Sequence, residues 1–150
     1  MGKPLAVLLA GLAGIAAAIQ AAVNATLGTH IRAIPAAFTS FATGTAALLL
    51  LTLWAWRGMP LAQISQGYAS APLWSYAGGL LGMVMVIGMT YAVPAVGVSA
   101  AISAFVTMQL TGSLVMDTFG LAGRTALPLT WHQVVGVGLI LLGARFVLWR

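Results

Sequence analysis

Three side-chain amides lie within long apolar stretches of the sequence, where a polar group is costly unless it has a partner. Gln20 and Asn24 are four residues apart, so a helix places both on one face. Gln109 lies in a later stretch, four residues before Ser113. An amide donates and accepts hydrogen bonds but does not titrate. We expect these four residues to bind a small solute; the alternative for Gln20 and Asn24 is that they only join neighbouring helices.

The stretch that contains Gln109 carries two polar stripes. One consists of hydroxyls at four-residue spacing, which are predicted to bond back to their own helix backbone: Ser99, Ser103, Thr107 and Thr111. The other continues from Gln109 and Ser113 to Asp117, the one acidic residue of the chain. Because Asp117 lies near the end of its stretch, we expect an interfacial ion pair with Arg124. The alternative is a coupling-proton site or a counter-ion for the solute, which would be expected near the bilayer midplane.

Aromatic residues and glycines form a second group of candidates. Trp74 and Tyr76 neighbour a glycine-rich stretch, so they are candidates for stacking on a solute. The alternative is that they anchor the chain at the membrane interface. Small residues let helices approach closely, and proline interrupts a helix. The candidates for helix packing or hinge motion are therefore Gly14, Gly78, Gly79, Gly82, Pro94 and Gly97.

The composition indicates which elements must position these residues. The chain is 61% hydrophobic and 5% charged, with a mean hydropathy of +1.06, whereas a soluble domain has about 25% charged residues. A helix that spans a bilayer needs about 20 apolar residues, and the sequence offers five such stretches. We predict an all-α integral membrane bundle, a single domain over residues 1–150. Its five transmembrane helices are expected at about 4–27, 35–56, 73–93, 97–119 and 129–149.

Two connections between these helices have features of their own. The segment from Met59 to Pro72 is the longest connection, and its apolar residues recur roughly one turn apart, which favours a short interfacial helix. The segment from Pro94 to Gly97 is predicted to be a tight turn, because proline cannot continue the hydrogen-bond ladder of a helix.

Several functional classes lack the residues that they need. The chain has no cysteine, and His30 and His132 are isolated at predicted helix ends, so we expect no metal site and no cofactor. Paired carboxylates and a nucleophile with its base are not visible, so an enzyme is not expected. The net charge of +5 is spread over single basic residues, which argues against binding to nucleic acid.

The basic residues are shared evenly between the two ends of the predicted helices. Orientation in a membrane follows the excess of Lys and Arg in the cytoplasmic loops. The N-terminal side has Lys3, Arg57 and Arg124, and the other side has Arg32, Arg145 and Arg150. This balance favours dual topology, in which copies insert both ways and pair antiparallel. The alternative is a small but real bias toward one orientation.

Short motifs occur in order along the chain: Gln20-x-x-x-Asn24, Phe41-x-x-Gly44, Gly78-Gly79-x-x-Gly82, Val93-Pro94-x-x-Gly97, Gln109 with Asp117-x-x-Gly120, and Gly136 with Gly143. In these motifs the chain resembles the YdcZ-type small transporters, a family of the drug/metabolite transporter superfamily in the bacterial inner membrane. The resemblance covers essentially the whole chain. One departure is that His132-Gln133 stand where we would expect a basic residue.

The resemblance implies a five-helix half-transporter in the inner membrane. Together with the charge balance, it leads us to expect a homodimer, antiparallel and built as a ten-helix inverted repeat. Such a dimer would carry a small polar or amphipathic solute through the lipid bilayer by alternating access. Two alternatives remain open: a dual-topology ion channel, and a non-transporting membrane scaffold subunit.

Overall fold

The computed structural model describes residues 2–121 and 125–148, and every regular element in these ranges is helical. The elements are α1 (Lys3–Ile31), α2 (Ala33–Ala55), α3 (Leu61–Ser70), a 3₁₀ helix (Leu73–Ala77), α4 (Gly78–Val96), α5 (Val98–Phe119) and α6 (Trp131–Leu148). The expectation of an all-α chain is confirmed for the described residues. The helix predicted between residues 59 and 72 is present as α3.

Four helical segments are long and apolar enough to cross a membrane: Lys3–Ile31, Ala33–Ala55, Leu73–Val96 and Val98–Phe119. The last apolar helix is shorter by the same measure, Trp131–Val147. The predicted end of the fifth span, at residue 149, lies outside the described residues. Four helices capable of crossing a membrane agree with the predicted integral membrane bundle, and the fifth crossing stays a prediction.

The first helix is longer than the sequence suggested. It was expected to end before Gly28, but α1 continues to Ile31. Two side chains near the end of α1 contact the same backbone carbonyl. The Thr29 hydroxyl donates to the Thr26 carbonyl at 2.7 Å, and His30 Nδ1 lies 2.9 Å from the same oxygen. These side-chain contacts add to the backbone hydrogen bonds of the last turns.

The tight turn predicted at 94–97 is wrong, because α4 continues through Pro94 and ends at Val96. Pro94 cannot donate to the carbonyl of Thr90, so the helix loses one hydrogen bond. The amide of Gly97 still donates to the carbonyl of Val93 at 2.9 Å, and this bond carries the helix past the proline. Gly97 alone separates α4 from α5, and its φ is 85°.

The same one-residue corner occurs twice. Arg32 joins α1 to α2 with φ 75° and ψ 159°, and Gly97 joins α4 to α5 with φ 85° and ψ 160°. In both corners the amide donates to the carbonyl four residues earlier at 2.9 Å, and the carbonyl accepts from the amide four residues later at 3.1 Å. Two helix pairs of this chain are therefore joined by the same local geometry, although only one corner has a glycine.

The contacts divide the chain into two compact units, Ala21–Tyr91 and a second unit formed by Met1–Gln20 with Ala92–Arg150. Small residues dominate the buried positions. In the first unit the buried residues are Ala21, Asn24, Ala25, Ala33, Ala36, Ala37, Val86 and Thr90. Large apolar side chains point outward, such as Phe38 and Leu50 at 73% and 70% exposure. This arrangement suits lipid as the solvent, because close packing of small residues holds membrane helices together.

Candidate functional site

Asn24 is the most deeply buried amide of the described residues. It is 4% exposed on the inner face of α1, and its side chain has no hydrogen-bond partner among the described residues. Among the described residues, every side-chain nitrogen or oxygen that is completely enclosed has a hydrogen-bond partner. The Asn24 amide is therefore not completely enclosed by the described residues. An unpaired buried polar group costs about 1–3 kcal/mol, so a bound partner would lower the free energy.

One helical turn after Asn24, three helices meet without space for a side chain. A Cβ atom placed on Gly28 of α1 would lie 2.5 Å from Thr90 Cγ2 of α4. It would also lie 3.8 Å from Ala33 Cα and 3.9 Å from Ala36 Cβ, both of α2. The hydroxyl of Thr90 turns away and donates to the Val86 carbonyl at 2.8 Å. Only the methyl group of Thr90 therefore faces Gly28.

A second close contact lies farther along the same helices. The ring of Phe41 on α2 covers Gly82 on α4, where an added Cβ would be 3.4 Å from Phe41 Cζ. Helices rise about 1.5 Å per residue, so Asn24 is about 6 Å from Gly28 along its helix, and Gly82 is about 12 Å from Thr90.

The other two predicted amides are exposed. Gln20 on α1 and Gln109 on α5 have no side-chain hydrogen bond within the described part of the chain. Ser113 is also exposed, but its hydroxyl donates to the Leu110 carbonyl at 2.8 Å. An amide without a partner is unfavourable in hydrocarbon. Gln20 and Gln109 therefore need a polar cavity, a solute or another chain.

Hydroxyl groups of the spans behave differently from the amides. The predicted back-bonding is confirmed for Thr107, which donates to the Ser103 carbonyl at 2.7 Å, and for Thr111, which donates to the Thr107 carbonyl at 2.9 Å. Further hydroxyls donate to their own helix in the same way: Thr26, Thr39, Thr43 and Thr90. These groups have partners already, so the amides are the stronger binding candidates.

Asp117 is half-buried near the end of α5. Its backbone carbonyl accepts from the amide of Leu127 at 2.8 Å, which ties the following loop to the helix end. Arg124, its predicted ion-pair partner, lies outside the described residues. The ion pair therefore stays a prediction, as does the alternative role in ion coupling.

Of the two aromatic candidates, Tyr76 belongs to a cluster and Trp74 does not. The Tyr76 ring stacks on Tyr68 with ring centroids 6.4 Å apart, and Tyr68 meets Trp56 edge-on at 6.1 Å. The Tyr76 hydroxyl donates to the Tyr68 carbonyl at 2.7 Å. Trp74 is 57% exposed and contacts neither ring. Sequence reasoning missed Trp56 and Tyr68, because only the return of α3 brings them together.

The packing glycines differ from most of those predicted. No described atom lies within 4 Å of a Cβ placed on Gly14, Gly78 or Gly79. Among the described residues, a Cβ would meet the Phe41 ring at ordinary contact distance on Gly82, which was predicted, and would clash with Thr90 on Gly28, which lies just after the predicted end of the first helix. The signal for Gly28 was its position one turn after Asn24 and Ala25 and two turns after Ala21, since these residues share a helix face.

Metal ligands do not cluster in residues 2–121 and 125–148, where no three His, Asp or Glu side chains come together. Neither the curated proteins nor the solved structures contain a match to this chain. A protein-family model does match, over residues 5–146, and its description reads "Putative inner membrane exporter, YdcZ". Since the match covers nearly the whole chain and four of its helices can cross a bilayer, the chain is a multi-pass inner-membrane protein and belongs to the YdcZ exporter family.

Proposed function

We propose that this protein moves a small polar or amphipathic solute across the inner membrane by alternating access, as an antiparallel homodimer of dual topology. Asn24 carries the proposal: the residue is 4% exposed, and its amide is unpartnered among the described residues without being completely enclosed by them. A solute that offers one donor and one acceptor would satisfy it. Gln20 and Gln109, which both belong to the second unit, are further candidates for hydrogen bonds to the solute.

The polar groups of the core support an uncharged or internally neutralised cargo. The buried polar residues of the described chain are Asn24, Thr90 and Thr107, and none of them carries a charge. Moving an isolated ion into such surroundings is strongly unfavourable, because no buried group of opposite sign compensates it. We therefore infer that the cargo is held by hydrogen bonds to amides rather than by an ion pair.

Two features support a second copy as the partner. Gln20 and Gln109 are exposed polar groups on apolar helices and have no partner among the described residues. Glycines at positions 14, 78 and 79 leave small, open faces against which another helix could pack closely. An antiparallel pair would also account for the even distribution of basic residues, since neither orientation is then favoured.

Binding is tested with the variants Gln20→Ala and Asn24→Ala. A thermal-shift screen of a metabolite library on the purified wild-type protein would first identify a solute. Both variants are expected to bind it at least about tenfold more weakly, which corresponds to a lost hydrogen bond of about 1.4 kcal/mol, and to remain dimeric. Thr26→Ala is the matched control, because its exposed hydroxyl already donates to the Ala22 carbonyl. Unchanged binding in both amide variants would show that the cavity assignment is wrong.

Orientation and transport need separate tests. A reporter fused after Arg150 is expected to signal from both sides of the membrane in a single-copy strain, and a signal from one side only contradicts dual topology. Flux into liposomes separates a transporter from a channel, since channel currents far exceed transporter turnover. A scaffold subunit would show no solute-dependent thermal shift with any compound of the library.

A further inference from the structure

An open groove of about 500 Å³ lies where α2 ends, beside α3 and the 3₁₀ helix. Trp56, Tyr68 and Tyr76 form its aromatic wall, and Ile64, Gln63 and Ser75 also line it. The apolar span Ala33–Ala55 ends just before it, and the span Leu73–Val96 starts within it. The groove therefore opens at the depth where membrane meets water. It lies entirely within the unit Ala21–Tyr91 and contains none of the amides of the proposed transport path.

The aromatic wall is held in place by a short bond. The hydroxyl of Tyr76 donates to the Tyr68 carbonyl at 2.7 Å, which ties the 3₁₀ helix to α3. Tyr68 lies 6.4 Å from Tyr76, nearly parallel at 18°, and 6.1 Å from Trp56, nearly perpendicular at 80°. Both tyrosine rings remain about half exposed, at 54% and 50%. Ring surface is therefore available to a second molecule without rearrangement of the cluster.

The groove offers few polar groups and no charge. The Ser75 hydroxyl donates to the Pro72 carbonyl at 2.6 Å, whereas the Tyr68 hydroxyl and the Gln63 amide have no partner among the described residues. The sequence contains no charged residue from Gly58 to Val96. The nearest charge along the chain is Arg57, which would repel a cation from the rings. Small-molecule sites commonly have this make-up, mainly apolar and aromatic with a few polar groups, at about 300–1,000 Å³.

We propose that this groove is a second binding site, which takes an uncharged planar aromatic molecule with a hydroxyl or amide at its edge. The ring of the ligand would stack on the exposed faces of Tyr68 and Tyr76, and Trp56 would close the end of the groove. The edge group would bond with the Tyr68 hydroxyl or the Gln63 amide. This site stands apart from Asn24, so it holds whether or not the proposed transport function is correct.

The probes are three naphthalene derivatives of similar size: naphthol, which is uncharged at neutral pH, naphthoate and naphthylmethylammonium. Equilibrium dialysis against full-length protein in lipid nanodiscs measures binding, and empty nanodiscs correct for partition into lipid. Naphthol is expected to bind saturably and at least about tenfold more tightly than either charged probe. Equal binding of the three probes, or uptake no greater than by empty nanodiscs, overturns the proposal.

Variants test whether the rings of the groove hold the probe. Trp56→Leu and Tyr68→Leu are expected to weaken naphthol binding about three- to tenfold each, as expected for loss of one aromatic contact. Tyr68→Phe keeps the ring and is expected to weaken naphthol binding less than Tyr68→Leu does. Trp74→Leu is the matched control, since Trp74 is 57% exposed at the same interface and does not line the groove. An equal loss in Trp74→Leu would mean that the aromatics serve only as membrane anchors. Competition by anionic lipid would assign the groove to a headgroup instead.

Discussion

Gly28 of α1 and Thr90 of α4 lie so close that a Cβ atom on Gly28 would come within 2.5 Å of Thr90 Cγ2. The contact closes the three-helix core one turn beyond the unpartnered amide of Asn24. Pro94 removes the N–H that would bind the Thr90 carbonyl, so α4 is weakened at this same level.

Substitution of Gly28 tests this contact directly. Gly28→Ala is expected to destabilise the protein by about 1–3 kcal/mol, because the added methyl overpacks against Thr90. Thr90→Ser removes the methyl and keeps the hydroxyl that donates to Val86. The double variant is therefore expected to recover most of the loss. Thermal melting of the purified protein measures the effect.

Gly44→Ala is the matched control for this series, because no described atom lies within 4 Å of a Cβ placed on Gly44. It is expected to be neutral, or more stable by up to about 1 kcal/mol through its better helix propensity. If Gly28→Ala has the same melting temperature as Gly44→Ala, the helices are not in close contact at Gly28.

The substitution Asn24→Leu should affect the stability of the protein and its binding of a solute in different ways. Asn24→Leu replaces an unpartnered amide by an apolar side chain of similar size, so the melting temperature is expected to stay level or rise. Binding of an identified solute is expected to fall at least about tenfold, because the donor and acceptor are gone. A parallel fall in stability and binding would indicate a structural role for the amide instead.

Both one-residue corners should be more stable with glycine than with alanine. Arg32→Gly is expected to be more stable than Arg32→Ala by about 1–3 kcal/mol, because φ 75° with ψ 159° is a conformation that essentially only glycine adopts without strain. Both variants remove the same charge, so the comparison isolates the backbone. Gly97→Ala is expected to lose a similar amount, about 1–3 kcal/mol. Equal melting of the two Arg32 variants would show that this corner is relaxed.

The start of α6 depends on one side chain. Gln133 Oε1 accepts from both the amide and the hydroxyl of Thr130 at 2.9 Å, in the manner of a capping box. Gln133→Ala is expected to cost about 1 kcal/mol, and Gln133→Glu is expected to keep most of that energy. Thermal melting compares the two variants.

The membrane class, the family and the approximate bounds of four spans could be predicted from the sequence. These features depend on local composition: long apolar stretches must form helices in lipid, because every backbone N–H and C=O group has to be satisfied within the segment. The order of the motifs was also sufficient to recognise the family. Local chemistry did not predict the bounds completely, since α4 passes through Pro94 and α1 passes through Gly28.

The inner face of each helix was decided only by the tertiary structure. In water, apolar periodicity reveals the buried face of a helix, but these helices are apolar all round because lipid is their solvent. Gln20 and Asn24 therefore looked equivalent in the sequence, whereas the fold exposes the first and buries the second. Likewise, the sequence did not reveal that Gly28 packs against Thr90. It also did not reveal that α3 places Tyr68 beside Trp56.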